Sequence, residues 1–99
     1  MSERAEDAQI VELHAIFRGR VQGVGFRFTA QIYAERMGLC GTVRNVPDGT
    51  VEIYVQGSRQ ELDEFLRKLV GPSGPGHIDG VTKEYKLAST VFTDFRVIF

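Results

Sequence analysis

Nine consecutive residues, Gly19-Arg20-Val21-Gln22-Gly23-Val24-Gly25-Phe26-Arg27, carry the strongest chemical signal in this sequence. Glycines at 19, 23 and 25 let the backbone take positive φ and let the main chain come close to a ligand. Successive N–H groups can then converge on a concavity that holds an anion. A helix beginning just behind the loop adds its unpaired N–H groups and the positive end of its dipole. Arg27, in the first turn of such a helix, can reach back and grip the same anion with two parallel hydrogen bonds. The pattern describes a phosphate cradle made of the amides of residues 19–25 and the Arg27 guanidinium. Glycine content alone fits a mobile strand-to-helix loop with a solvated arginine equally well. The stretch matches neither GxxxxGK[ST] nor GxGxxG, so it lacks the lysine and hydroxyl that hold a nucleoside triphosphate and its Mg²⁺.

The second candidate segment is Gly41-Thr42-Val43-Arg44-Asn45-Val46-Pro47-Asp48-Gly49. Asn45 stands near the end of a β-rich run, where asparagine is disfavoured. In a period of two it shares a face with Val43 and Gly41. A polar amide there has two uses: it bonds the backbone of the following Pro-Asp-Gly turn, or it is aimed at something outside the strand. The residues alone leave both open.

Charge and composition bound the rest. The chain has 99 residues, 42% hydrophobic and 25% charged, with a formal net charge of −1. That is one domain's worth of sequence, with no overall positive excess to draw in nucleic acid or acidic lipid. Residues 10–46 nevertheless hold five arginines (18, 20, 27, 36 and 44) against two glutamates, a net of +3, while the remainder is at −4. Arginine is the side chain that grips oxyanions in a fork. Arg18, Arg20 and Arg44 are expected to add a diffuse field favouring an anionic substrate. Cys40 is the sole cysteine, which excludes an intrachain disulfide and suits a reducing cytosol. His14 and His77 fall in no metal-ligand spacing, so no metal site is expected. No apolar run approaches the ~20 residues of a membrane span. Residues 1–8, MSERAEDA, read as a loose tail without the features of a secretory signal, leaving a single domain over 9–99.

The elements that must position these segments follow from periodicity. Residues 10–18 alternate as a strand with Val11, Leu13, Ala15 and Phe17 on one side and Glu12, His14 and Arg18 on the other. Phe26 to Met37 reads as a helix with Phe26, Ala30, Tyr33 and Met37 on one face, stopped by Gly38 with Leu39 as its apolar contact. Residues 40–46 and 50–56 form a hairpin across Pro47-Asp48-Gly49, with Val51, Ile53 and Val55 inward. Ser58-Arg59-Gln60-Glu61 is a capping box opening a second helix, with Leu62, Phe65, Leu66, Leu69 and Val70 as its apolar face. After the loop 71–76 comes a weaker strand over 77–87, with Val81, Lys83, Tyr85 and Leu87 on one face; the lysine marks it as an edge. The ending DFRVIF is a last strand with Phe95, Val97 and Phe99 on one side. The order is β-α-β-β-α-β with an extra edge strand placed before the end. It predicts an α+β, ferredoxin-like sandwich: a mainly antiparallel sheet with two helices on one face. That fold serves many functions and names none.

The two segments together resemble the acylphosphatase family. Its first motif, G-x-V-Q-G-V-x-F-R, is met at every defined position from Gly19 to Arg27. Its second, G-x-V-x-N followed by an acidic or small residue and glycine, is met by Gly41, Val43, Asn45, Asp48 and Gly49. Length and element order agree over essentially the whole chain after the tail. The resemblance implies hydrolysis of the carboxyl–phosphate bond of acyl phosphates to a carboxylate and inorganic phosphate. It implies phosphate binding by Arg27 with the loop Gly19, Arg20, Val21, Gln22, Gly23, Val24 and Gly25, and orientation of the attacking water by Asn45. Gly25 fills the variable place before Phe26 and should loosen the loop. The partners implied are a small acyl phosphate and a phosphate or sulfate anion, with no cofactor, no nucleic acid and no membrane. A cytoplasmic monomer is expected.

Chemistry agrees with those roles. Acyl phosphates have a good leaving group, so the reaction asks mostly for positioning and charge stabilisation at the phosphoryl oxygens. The Asn45 amide is not basic, and neither motif supplies an evident general base; a phosphate oxygen of the substrate is then the acceptor of the water's proton. Two other readings use the same fold. An RNA-recognition module would need an aromatic-rich third strand, whereas TVEIYVQ offers Tyr54 alone beside an acid, Glu52. A specificity or delivery module, as in hydrogenase-maturation proteins that carry such a domain, would act within a larger system.

Overall fold

A computed structural model describes residues 10–99; the tail expected over 1–8 lies outside the described residues. Seven elements follow in order: β1 (Val11–Arg20), α1 (Phe26–Arg36), β2 (Cys40–Asn45), β3 (Val51–Gly57), α2 (Arg59–Val70), β4 (His77–Leu87) and β5 (Phe95–Ile98). The five strands make one sheet in the order β4-β1-β3-β2-β5. Pairings of β1 with β3 and β4, and of β2 with β3, are antiparallel, and β2–β5 is parallel. This is the ferredoxin-like α+β arrangement. One expectation changes: β4 takes the fourth ferredoxin position beside β1, and the extra strand is the last one, β5. A parallel partner needs a crossover, and the route through α2, β4 and residues 88–94 carries the chain to the far edge.

Alternation decides which side of the sheet is dry. Leu13, Ala15 and Phe17 of β1, Val43 of β2, and Val51, Ile53 and Val55 of β3 are fully buried against the helices. From α1 come Phe26, Ala30 and Ala34, and from α2 Leu62, Phe65, Leu66 and Leu69. Phe17 packs on Phe26 with ring centroids 5.0 Å apart, so the first residue of α1 is anchored directly on β1. Tyr33 and Met37 lie against the edge of this core.

The helix ends behave as their sequences require. The Leu39 amide donates to the Ala34 carbonyl at 2.8 Å and the Gly38 amide to that of Glu35 at 3.2 Å, with Gly38 at φ +70°; this is a Schellman stop. At α2 the Glu61 amide donates to the Ser58 hydroxyl at 3.1 Å, and the Ser58 amide donates back to the Glu61 carboxylate at 3.0 Å.

Three residues at the ends of these apolar faces are left exposed. Val70 ends α2 and is exposed, because the chain turns away at Gly71 before its face can close on the sheet. Leu87 ends the β4 edge and is exposed as well. Phe99 follows the last paired residue of β5 and stands 87% exposed, while Phe95 takes the inward place against Phe65. The first strand also runs two residues further than its alternation suggests. A bulge between Arg18 and Gly19 lets Gly19 and Arg20 pair with Ile78 and His77. A side chain at 19 would run into the His77 carbonyl, so glycine there lets the two backbones close up.

Candidate active site

The loop between β1 and α1 is therefore Val21–Gly25, with Gly19 and Arg20 belonging to the strand. Val21 is buried and pins the start of the loop to the core. Gly23 and Gly25 take φ +76° and +78°, where a side chain is strained even though the surrounding space is open. The Gly25 expected to loosen the loop is thus the residue whose left-handed conformation starts α1. It is the helix N-cap and offers no side chain to the first turn, which also contains no acidic residue. The first helical bond runs from the Thr29 amide to the Gly25 carbonyl at 3.0 Å. The amides of Phe26, Arg27 and Phe28 precede it and have no intrahelical acceptor, which makes this end of α1 electropositive and open to an anion.

Facing it is the end of β2. Asn45 pairs with Val51 and continues the helix-facing side after Val43. Its Oδ1 is buried with no hydrogen-bond partner among the described residues. The turn-capping use of Asn45 left open by the sequence is taken by other groups. The Asp48 carboxylate accepts the Thr50 amide at 3.0 Å and the Thr50 hydroxyl at 2.6 Å. Those two bonds hold its carboxyl below the ordinary aspartate range. The Val46 amide donates to the Thr50 carbonyl at 2.8 Å. Gln22 closes the arrangement: its Nε2 donates to the carbonyls of Val46 at 2.8 Å and Thr50 at 2.9 Å. The motif glutamine thus clips the loop to the hairpin that carries Asn45.

A cleft of about 210 Å³ opens between these parts, lined by Val21, Gly23, Gly25, Phe26, Arg27, Phe28 and Asn45. The structure brings Arg27 and Asn45 to one cleft with three of the loop residues. Gln22 turns to the hairpin, and Arg20 and Val24 line a separate hollow with Gly76, His77 and Asp79. The Arg27 guanidinium donates to the Ile98 carbonyl at 3.3 Å and lies 4.7 Å from the Phe99 ring centroid. No carboxylate pairs with it among the described residues, so most of its donors stay available. Two other arginines are engaged elsewhere: Arg18 donates to the Thr82 hydroxyl at 2.8 Å, and Arg44 to Glu52 at 2.8 Å on the sheet face away from the helices.

Sequence reading passed over Phe28 and the clipping role of Gln22. Phe28 falls outside the buried face of α1 and is 52% exposed; an exposed phenylalanine one residue beyond the motif was the available signal. Among the described residues, no three His, Cys, Asp or Glu side chains gather where a metal ion could sit.

Comparison with known proteins agrees with this architecture. The acylphosphatase family model matches residues 13–97. An acylphosphatase of Lactobacillus gasseri is 44% identical over 82 residues, covering 82% of this chain and 90% of that one. The crystal structure of acylphosphatase from Bacillus subtilis superposes with a TM-score of 0.80 at 30% identity, covering 90% of this chain and 99% of that one. Full-length HypF in its phosphate- and nucleotide-bound form gives a TM-score of 0.82 at 26% identity, covering 92% of this chain but 12% of that one. With a family match over most of its length and curated relatives that it spans nearly whole, the chain belongs to the acylphosphatase family of enzymes.

Proposed function

We propose that this acylphosphatase holds the phosphate of its substrate in the cleft between the Val21–Gly25 loop, the N-terminus of α1 and Arg27, and that Asn45 orients the attacking water. The observation that carries this reading is the Asn45 amide, its oxygen buried and, among the described residues, without a partner, in the same cleft as an arginine that pairs with no described carboxylate and a helix start with no side-chain cap. A buried carbonyl oxygen without a partner costs about 1–3 kcal/mol. A water donating to Oδ1 relieves that cost and is thereby held on one line of attack. The guanidinium and amides stabilise the charge that spreads over the phosphoryl oxygens as the water adds and the carboxylate departs. The water's proton passes to a phosphate oxygen, since the cleft presents no carboxylate, imidazole or thiol.

The reaction proposed needs no metal and no cofactor, and it takes place in a cytoplasmic monomer. No helix among the described residues is long and apolar enough to cross a membrane. The test is hydrolysis of benzoyl phosphate in EDTA with inorganic phosphate as competitor. Metal-free turnover, competitive inhibition and a pH–rate profile without an essential enzyme group near neutrality are expected. Loss of activity in EDTA, or an ionisation near pH 7 in kcat/KM, overturns the scheme.

A further inference from the structure

We propose that Phe28 and Phe99 form the seat for the acyl portion of the substrate, so that this chain favours acyl phosphates with an apolar, planar acyl group over short or polar ones. The inference rests on the phosphate-holding role of the cleft proposed above. Phe28 lines that cleft and is half exposed, which places its ring at the rim. Phe99 is 87% exposed, and its ring centroid lies 6.2 Å from that of Phe28 at an interplanar angle of 49°. The Arg27 guanidinium lies 4.7 Å from the Phe99 centroid. One arginine therefore touches the outer ring, Phe99, and borders the anion cleft.

A phosphate bound against the loop amides and the start of α1 must send its acyl group out over the rim. The first surface it meets there is Phe28, with Phe99 beyond. Two aromatic rings left in water beside each other gain by covering a third apolar surface, and tilted aromatic contacts add to that gain. Charge supports the choice of an apolar occupant. Arg27 is the one cation among the cleft-lining residues, and the phosphate occupies it. A second anionic group on the acyl chain would find no partner there, because Arg20 faces the separate hollow beside His77 and Asp79. Of the exposed large apolar side chains only Phe28 lines the cleft among the described residues, and Phe99 joins it through its ring contact with Phe28.

The experiment compares kcat/KM on benzoyl phosphate and acetyl phosphate for the unsubstituted protein, Phe28→Ala, Phe99→Ala, the double variant, Phe99→Leu and the control Leu87→Ala. The benzoyl-to-acetyl ratio is expected to fall about tenfold in the double variant, the size of one lost aromatic contact pair. Smaller falls are expected in the singles and partial recovery in Phe99→Leu. A ratio within twofold of the starting value in the double variant overturns the proposal, including the case where both substrates fall together, because the rings would then act only by placing Arg27. Competition by inorganic phosphate, measured in the unsubstituted protein and in Arg27→Ala, reads the underlying cradle separately. If phosphate competes equally with both proteins, the cradle fails, whatever the ratio does.

Discussion

Two amides sit on the same sheet and are used in opposite ways. Gln56, near the end of β3, is 4% exposed. Its Nε2 donates to the Glu12 carboxylate at 2.8 Å and the Thr90 carbonyl at 2.6 Å, and its Oε1 accepts the Phe92 amide at 2.9 Å. Asn45, at the end of β2, keeps its buried Oδ1 without a hydrogen-bond partner among the described residues. The saturated amide fastens residues 90–92 across the sheet face away from the helices, so that Glu12, expected on the open side, is 8% exposed. A saturated buried network stabilises and specifies; an unsaturated one lowers stability and persists where a ligand completes it. The same contrast separates Arg44, paired with Glu52, from Arg27, which has no carboxylate partner among the described residues.

Substitutions can break that contrast, the largest effect coming from Arg27→Ala. It removes the one cation among the described residues that line the cleft and should lower kcat/KM by about a thousandfold or more, roughly 4 kcal/mol of transition-state stabilisation. Its thermal midpoint should hardly move, since the side chain contributes one long hydrogen bond and one ring contact. Steady-state kinetics and a melting curve check the pair of outcomes. Gln56→Ala should do the reverse. It leaves Glu12 buried without its donor and should cost about 2–3 kcal/mol in urea unfolding, with kcat per folded molecule unchanged.

Gln22→Ala sharpens the comparison because both N–H donors of this amide are engaged, yet it stands beside the cleft. Losing its two bonds to the hairpin carbonyls should cost about 1–2 kcal/mol of stability. It should also slow turnover about tenfold by letting the loop and Asn45 drift apart. Turnover equal to the parent would make the clip purely structural. Glu52→Gln is the mildest change. Burial pushes the Glu52 carboxyl up, but hydrogen bonds from His14 at 2.6 Å and Arg44 at 2.8 Å, with their charge, outweigh it and hold the carboxyl below the ordinary glutamate range. A depressed carboxyl contributes stability above its ordinary pKa and loses it as pH falls through the folded value. The stability gap between parent and variant, less than about 1 kcal/mol, should shrink as pH falls through and below the glutamate range; a gap that widens in acid contradicts the assignment.

Most of the scaffold was legible because its signals are local. Alternation in β1 and β3, the capping box at Ser58 and the stop at Gly38 each depend on neighbours within a few residues, and all stand as read. The exposure of Val70, Leu87 and Phe99 has one physical cause. Each lies at or just past the end of an element, where the alternation or helical period continues after the chain has stopped being covered. The loop motif pointed to Arg27 and Asn45 as partners, and they do meet in one cleft. That Gln22 would clip the loop to Val46 and Thr50, and that Glu12 would be buried under Gln56 and residue 90, depends on contacts across tens of residues, where periodicity carries no information. The extra strand was misassigned for the same reason: which edge a strand joins is decided by the length and route of its connection.

On the mechanism proposed, the open amide at the end of β2 holds the reacting water and does not hold the phosphate. Asn45→Ala separates the two roles, with kcat on benzoyl phosphate and the inhibition constant of inorganic phosphate measured on the same preparation. A fall in kcat of about a hundredfold or more is expected, with phosphate inhibition within about threefold of the parent. Undiminished kcat, or a loss of phosphate inhibition as large as that of Arg27→Ala, would contradict it.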